Sequence, residues 1–222
     1  MTRVTCGLLL ALLAFAAHAW PTLPAPPGAR IEAIGEQVRL NGVPMQLFRV
    51  LAAQPAALLL DHYRAALGPR HAFERLPDRL ILAQERDGYF VTVSVRALNP
   101  QLTEALVSIA APAGAESFRT SPLGIVWPGR SMVVSDMESL DGGRRARQVV
   151  VVNDLAVAAN VQAMMPWFIA RGLHPDGPPL RQEPHALVQL YRGNQGEAQL
   201  IIHRDAGNTY VILTLIDLPW DR

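Results

Sequence analysis

Residues 40–50 read LNGVPMQLFRV, and residues 140–152 read LDGGRRARQVVVV. Each stretch begins with a leucine, continues with a turn dipeptide and then enters an apolar run. Asn41-Gly42 and Asp141-Gly142 suit tight hairpin turns, because the central residues of such turns adopt positive φ. The recurrence of this pattern predicts that one structural unit is written twice along the chain.

The residues around each turn predict the same succession of elements. The first copy is expected to contain strands over 31–40, 43–51, 79–84, 89–96 and 106–110, with a helix from Pro55 to the cap residue Gly68. The second copy is expected to contain strands over 132–140, 148–152, 187–191, 198–203 and 209–216, with a helix capped by Asn153 or Asp154 and closed by Gly172. Pro166 predicts a kink or a division in this second helix.

These elements predict an α+β fold made of two tandem β-β-α-β-β-β repeats with mostly antiparallel sheets. The repeats cover residues 31–111 and 132–218, and a linker over 112–131 joins them. One helix covers only one face of a sheet, yet several strands are apolar on both faces. We therefore expect the repeats to pack against each other as a pseudo-symmetric pair. A continuous sheet across the two units is the alternative.

The first nineteen residues have the pattern of a secretory signal peptide. An arginine precedes an apolar run, and the segment ends in Ala17-His18-Ala19, whose small outer residues suit signal peptidase. We expect cleavage between Ala19 and Trp20, which leaves a Pro-rich segment over 20–30. An uncleaved anchor is the alternative, although the run is short for a bilayer span. The protein is expected in the periplasm or secreted, without a membrane span after cleavage.

The composition excludes several classes of chemistry. All 20 basic residues are arginine, so a lysine Schiff base, a Ser-Lys dyad and the usual phosphate-loop chemistry are absent. The one cysteine, Cys6, lies in the predicted signal peptide, which leaves no thiolate for catalysis or metal binding. Loss of Arg3 with the same segment leaves equal numbers of basic and acidic residues. Such a neutral chain is not expected to bind nucleic acid.

No catalytic or metal-binding motif stands out among the remaining polar residues. The histidines lack the i,i+4 spacing of a helical zinc site, and neither HExxH nor GxSxG occurs. We expect no metal and no cofactor, and we favour a protein that is not an enzyme. A hydrolase whose site assembles only in the folded chain is the least favoured alternative.

The candidate contact residues lie in a basic stretch and at the C-terminal end. Arg144, Arg145 and Arg147 are densely spaced after two glycines, and Trp220 lies among the last residues. These side chains are candidates for contact with a partner. The alternative for the arginines is a hairpin tip whose charges keep a strand edge soluble.

The sequence therefore favours an exported, non-enzymatic protein that acts by protein–protein contact, as an accessory of an envelope or secretion assembly. Its partner would be another envelope protein. The alternative is a periplasmic binding module for a small apolar or anionic ligand, because arginine suits bidentate contact with carboxylate or phosphate. The sequence does not indicate an oligomeric state.

Overall fold

The computed structural model describes residues 20–112 and 123–217, which form one 14-stranded sheet and two helices. The elements of the first half are β1 Arg30–Ala33, β2 Gln37–Leu40, β3 Val43–Ala52, α1 Ala56–Leu67, β4 Ala72–Arg75, β5 Leu80–Arg86, β6 Tyr89–Asn99 and β7 Leu102–Ala110. The elements of the second half are β8 Met132–Asp141, β9 Arg144–Asn153, α2 Val157–Ala170, β10 His174–Pro175, β11 Arg181–Glu183, β12 Ala186–Gly193, β13 Gly196–Asp205 and β14 Asn208–Ile216.

The predicted fold class, two α+β repeats packed as a pair, is wrong. The sheet runs without interruption in the order β10-β12-β13-β14-β9-β8-β2-β3-β7-β6-β5-β4, with β1 on β3 and β11 on β12. The halves meet edge to edge through β2 and β8, where Gln37 lies opposite Leu140 and Leu40 opposite Met137. Each hairpin would otherwise expose a row of unpaired N–H and C=O groups, and this pairing satisfies them. The continuous sheet, named above as the alternative, is the arrangement found.

Both helices lie on the same face of the sheet, as the strand register demonstrates. Val50 of β3 packs in the hydrophobic core beneath α1. Pro44 is six residues away on the same strand, so it points to the same face, and it lies opposite Arg39. Arg39 lies opposite Glu138, and Glu138 opposite Arg147. Residues paired across strands share a face, and successive alternate residues of one strand do as well. The face of Val50 therefore continues through the junction to Val149, which packs in the core of the second helix.

Two separate hydrophobic cores lie between the sheet and its helices. In the first, Leu59 and Tyr63 of α1 pack against valines of β6 and β7. In the second, Trp167 and Phe168 of α2 pack against strands β9 and β12 to β14. Neither helix of the described chain has the length and apolar character needed to cross a bilayer.

Proline-rich segments complete both cores. Trp20, at the start of the Pro-rich segment, contacts Tyr89 with ring centroids 5.0 Å apart. Leu123 is buried in the second core, and Trp167 Nε1 donates a hydrogen bond of 2.7 Å to its carbonyl oxygen. The part of the predicted linker that the structure describes thus packs against the sheet side of α2.

Helix α2 differs from its prediction at its N-terminal end, and it is not divided at Pro166. It begins after Ala156 instead of at Asn153 or Asp154, and no side chain caps its first turn. It continues through Pro166 as a single helix. The amide of Asn153 instead exchanges hydrogen bonds with Asn160, at 2.7 and 3.2 Å, which attaches the first turns of the helix to the end of β9.

Candidate binding face

The face of the sheet opposite the helices is not covered by any element of the described chain. We call it the uncovered face. Both hydrophobic cores lie on the other side, as the register above establishes. Large apolar side chains are exposed on the uncovered face, including Phe90 (55% exposed), Leu106 and Tyr210. A sheet face without a covering helix either carries polar residues and faces water, or carries apolar residues and packs against another surface. The residue composition of the face indicates which of the two applies.

One row of side chains crosses the uncovered face over seven neighbouring strands. We call it the central row, and it consists of Ile216, Ala146, Ser139, Val38, Met45, Ala110 and Phe90. Each residue lies directly opposite the next, so their side chains contact one another across the strands. Only one member is polar. The row passes through the β2–β8 junction, and it is therefore a property of the complete sheet.

A second apolar row lies on the same face in the second half. Val150, Ile212, Ile201 and Val188 lie opposite one another on β9, β14, β13 and β12. All four are β-branched, which suits the pleated surface of a strand. They are partly exposed. The second half therefore presents an apolar strip on the side away from α2.

A charged cavity lies at the first-half end of the uncovered face. We call it the arginine cavity. It has a volume of about 320 Å³, and its lining consists of Arg49, Arg79, Arg96, Glu104, Ser94, Ile34 and Leu106. Three guanidinium groups face one carboxylate, with a hydroxyl group and two apolar side chains beside them. Two further carboxylates, Asp78 and Glu32, lie outside the lining and pair with Arg79 and Arg49.

Glu104 holds two of the three arginines in place. It lies opposite Arg96 on the neighbouring strand, and Arg49 lies diagonally across on the other side. Arg49 Nε donates to Oε1 and an Arg96 NH2 group donates to Oε2, both at 2.7 Å. These bonds, chiefly the one from Arg49, hold the pKa of Glu104 below its usual value. The third arginine, Arg79, is held by a bidentate contact with Asp78.

Two of the sequence-predicted contact arginines lie at an exposed hairpin tip. Arg144 and Arg145 follow the turn at Gly142-Gly143 between β8 and β9. Arg144 Nε donates to Asp217 at 2.9 Å, and the backbone N–H of Arg145 donates to the same carboxylate. This placement matches the hairpin-tip alternative given above, and it lies beside the C-terminal end of β14.

Arg147 lies in a different environment from the other two. Its side chain is 1% exposed, on the helix-covered face, and it donates two hydrogen bonds to Asp136 at 2.8 and 2.6 Å. Glu138 approaches it at 3.5 Å. Residues 144 and 145 precede the covered part of β9. The side chain of residue 147 lies within that covered part. The charge of Arg147 is therefore buried and paired with that of Asp136.

The remaining predicted positions lie at the chain ends. Trp20 packs on the first core and is half-buried, so it attaches the N-terminal segment to the sheet. Ala19 and the rest of the predicted signal peptide lie outside the described residues, as does Trp220. The predictions made for them stay predictions.

Three histidines of the described residues make polar contacts through their rings. The histidine contacts that occur join His62 to a proline carbonyl, His71 to a glycine carbonyl and His185 to Glu183. None of these contacts involves a serine. Within residues 20–112 and 123–217, no three His, Cys, Asp or Glu side chains gather as metal ligands would.

Sequence reasoning did not identify the arginine cavity or the central row. Arg49 and Glu104 are 55 positions apart in the chain, and they meet only because β3 and β7 are neighbours in the sheet. The spacing of residues along the chain does not indicate this contact. The available signal was alternation: once the register of β3, β6 and β7 is known, the charged positions fall on one face.

Comparison with protein-family models, with curated proteins and with solved structures found no match for this chain.

Proposed function

We propose that this protein acts by contact with another protein of the cell envelope, and that the uncovered face is the contact surface. The protein reaches the periplasm through the signal peptide over residues 1–19, and it performs no catalysis. The observation that supports the contact surface is the central row, in which five of the seven side chains are apolar and at least partly exposed, whereas Val38 is buried at the junction of the two halves.

The dimensions of the apolar area suit an interaction surface. Seven strands at a spacing of about 4.8 Å span about 29 Å. The distance along β9 from Ala146 to Val150 adds about 14 Å, at roughly 3.4 Å per residue. The rectangle that these distances enclose, about 400 Å², contains polar side chains such as Gln148 and Thr214 between its apolar positions, and it is within the size range of surface patches that mark interaction sites. A standard interface buries about 800 Å² on each partner, so a polar rim would supply the rest.

The rim of the uncovered face indicates the chemistry of the partner. Arg49, Arg96 and Glu104 lie at one end, and Arg192 and Glu197 lie as neighbours at the other. Both ends carry charges of both signs. We expect the matching surface of the partner to have an apolar centre and charges of both signs at its edges. A partner surface whose charges were all of one sign would be repelled by the like charges of this rim.

The outer edges of the sheet are less suited to a partner than its face. The edge strands are short: β4 has four residues, β10 has two and β11 has three. They also carry charged side chains, such as Glu74 in β4 and Arg181 in β11. Short, charged edge strands are the usual means of preventing strand addition. We therefore favour contact through the face over strand addition at an edge.

Site-specific photo-crosslinking in the envelope tests this proposal. A photoreactive amino acid at Ser139, in the centre of the row, is expected to yield one adduct of defined mass with a second protein. Phe90→Glu, placed in the same row, is expected to remove the adduct. The matched control is Leu58→Glu, since Leu58 on α1 is 57% exposed against 55% for Phe90.

Three outcomes of that experiment would contradict the proposal. An adduct with the mass of a homodimer would identify a second copy as the occupant. An adduct that survives Phe90→Glu would separate the contact from the uncovered face. Absence of any adduct, with folding of the labelled protein verified by circular dichroism, would contradict contact through this surface.

A further inference from the structure

We propose that the arginine cavity binds a small organic anion through its carboxylate group. The cavity lies at the rim of the proposed contact surface, and it differs from the apolar centre of that surface in its chemistry. The sequence left a small anionic ligand as an alternative function. The arginine cavity gives that ligand a site and a chemical class.

The guanidinium donors of the lining favour an anion. Arg49, Arg79 and Arg96 surround a space in which Glu104 is the single acid of the lining. A guanidinium group has five N–H donors, and each of these arginines uses only one or two of them on Glu104 or Asp78. Their side chains are half-exposed. Donors from all three therefore remain available to an oxyanion that enters the cavity.

The positions of the arginines are set before a ligand arrives. Arg49 and Arg96 are strand residues, and each is oriented by a 2.7 Å hydrogen bond to Glu104, which is itself mostly buried. Arg79 is oriented by Asp78. Such orientation reduces the side-chain entropy that binding would otherwise cost. A planar carboxylate matches the fork of a guanidinium group, which makes bidentate contact possible.

The other walls favour an organic ligand over a bare inorganic ion. Ile34 and Leu106 are both 41% exposed and line the same space. Ser94 adds a hydroxyl group that can donate or accept. The volume, about 320 Å³, lies at the lower end of the range of ligand pockets. A ligand with one or two carboxylates on a short carbon chain would contact the arginines and Ser94 through its oxygens and the two apolar side chains through its carbon atoms.

Isothermal titration of the purified full chain with succinate tests the site directly. Wild type is expected to bind succinate and not its neutral counterpart 1,4-butanediol. Arg96→Gln is expected to weaken binding roughly tenfold, since one charge-assisted contact is lost. Glu104→Gln is expected to strengthen it by a similar factor, because the internal acceptor that competes for Arg49 and Arg96 loses its charge.

The matched control is Arg181→Gln. Arg181 is also an exposed strand arginine held by a carboxylate, Glu183, but it lies at the far edge of the sheet. It is expected to bind succinate as wild type does. Thermal unfolding of each variant without ligand establishes that the protein is folded.

The proposal is overturned if neither wild type nor Glu104→Gln binds succinate, or if Arg181→Gln weakens binding as much as Arg96→Gln. Tighter binding of phosphate than of succinate would contradict the assignment to a carboxylate. Phe90→Glu, which disrupts the proposed protein contact, is expected to leave succinate binding unchanged. Failure of one proposal can therefore be distinguished from failure of the other.

Discussion

Arg147 and Asp136 form a bidentate ion pair on neighbouring strands, with side-chain exposures of 1% and 5%. The pair lies on the helix-covered face, with Asp136 on β8, which pairs with β2 at the junction, and Arg147 on the adjacent strand β9. Two charges withdrawn from water are tolerated only when each satisfies the other. The junction between the halves is therefore built around a polar contact as well as around apolar packing.

Removal of one member of this pair is expected to be costly. Asp136→Asn should lower the free energy of unfolding by about 3–5 kcal/mol, because it leaves Arg147 buried opposite an uncharged group. Urea unfolding followed by circular dichroism measures the loss. The double variant Asp136→Leu/Arg147→Met should recover most of it.

The exposed pair Arg144–Asp217 is the comparison. Arg144→Gln should change stability by no more than about 0.5 kcal/mol, as is usual for surface ion pairs. Equal losses in Asp136→Asn and Arg144→Gln would contradict the importance assigned to the buried pair.

Trp167 connects helix α2 to the segment that precedes β8. Its Nε1 donates to the carbonyl oxygen of Leu123, and the guanidinium of Arg171 lies over its ring at 4.2 Å. Trp167→Phe should cost about 0.5–1.5 kcal/mol, because the Leu123 carbonyl loses one hydrogen bond and keeps the one from Arg171. Limited proteolysis should then cut more rapidly near residues 123–127. Unchanged cleavage in that segment would show that its attachment does not depend on Trp167.

The phenol of Tyr63 predicts a loss of stability in alkali. Burial raises its pKa to about 12 from an ordinary value of 10.0. The neutral form is thus favoured in the folded state, so stability is intact below pH 10.0 and falls as the pH rises towards 12. Tyr63→Phe should reduce this fall. Unfolding midpoints measured from pH 9 to pH 12 test it, with the exposed Tyr210→Phe as control.

Glu104 predicts a loss of stability in acid. Hydrogen bonds from Arg49 and then Arg96 lower its folded-state pKa below 4.5. Its contribution is therefore present above pH 4.5 and is lost as the pH falls through the lower folded-state pKa. Glu104→Gln should flatten the decline of the urea midpoint over this range. A decline as steep as that of wild type would contradict the prediction.

Local pattern was sufficient to predict most of the secondary structure. The turns at Asn41-Gly42 and Asp141-Gly142 join β2 to β3 and β8 to β9, as predicted. Helix α1 ends where Gly68 adopts positive φ. The short strands β4, β10 and β11 were missed, since two to four residues do not establish an alternation, and residues 31–40, predicted as one strand, form β1 and β2.

The fold prediction failed at the level above the hairpin. Strands apolar on both faces were interpreted as strands buried on both faces, and face-to-face packing of two units followed from that. In the structure, residues such as Val150 and Ile212 lie on the uncovered face, half-shielded by their cross-strand neighbours alone. A strand that is apolar on both faces indicates a second apolar surface of the sheet. It does not indicate what packs against that surface.

The sequence by itself determined the hairpins, the helices and the alternation of side chains, because these depend on residues close together in the chain. The tertiary structure alone decided that Leu40 would lie opposite Met137 and thereby join fourteen strands into one sheet. The hydrogen bonds of that pairing come from the backbone, which is the same for every residue, so side-chain pattern does not specify which edges meet. The central row, the arginine cavity and the burial of Arg147 all follow from strand pairing.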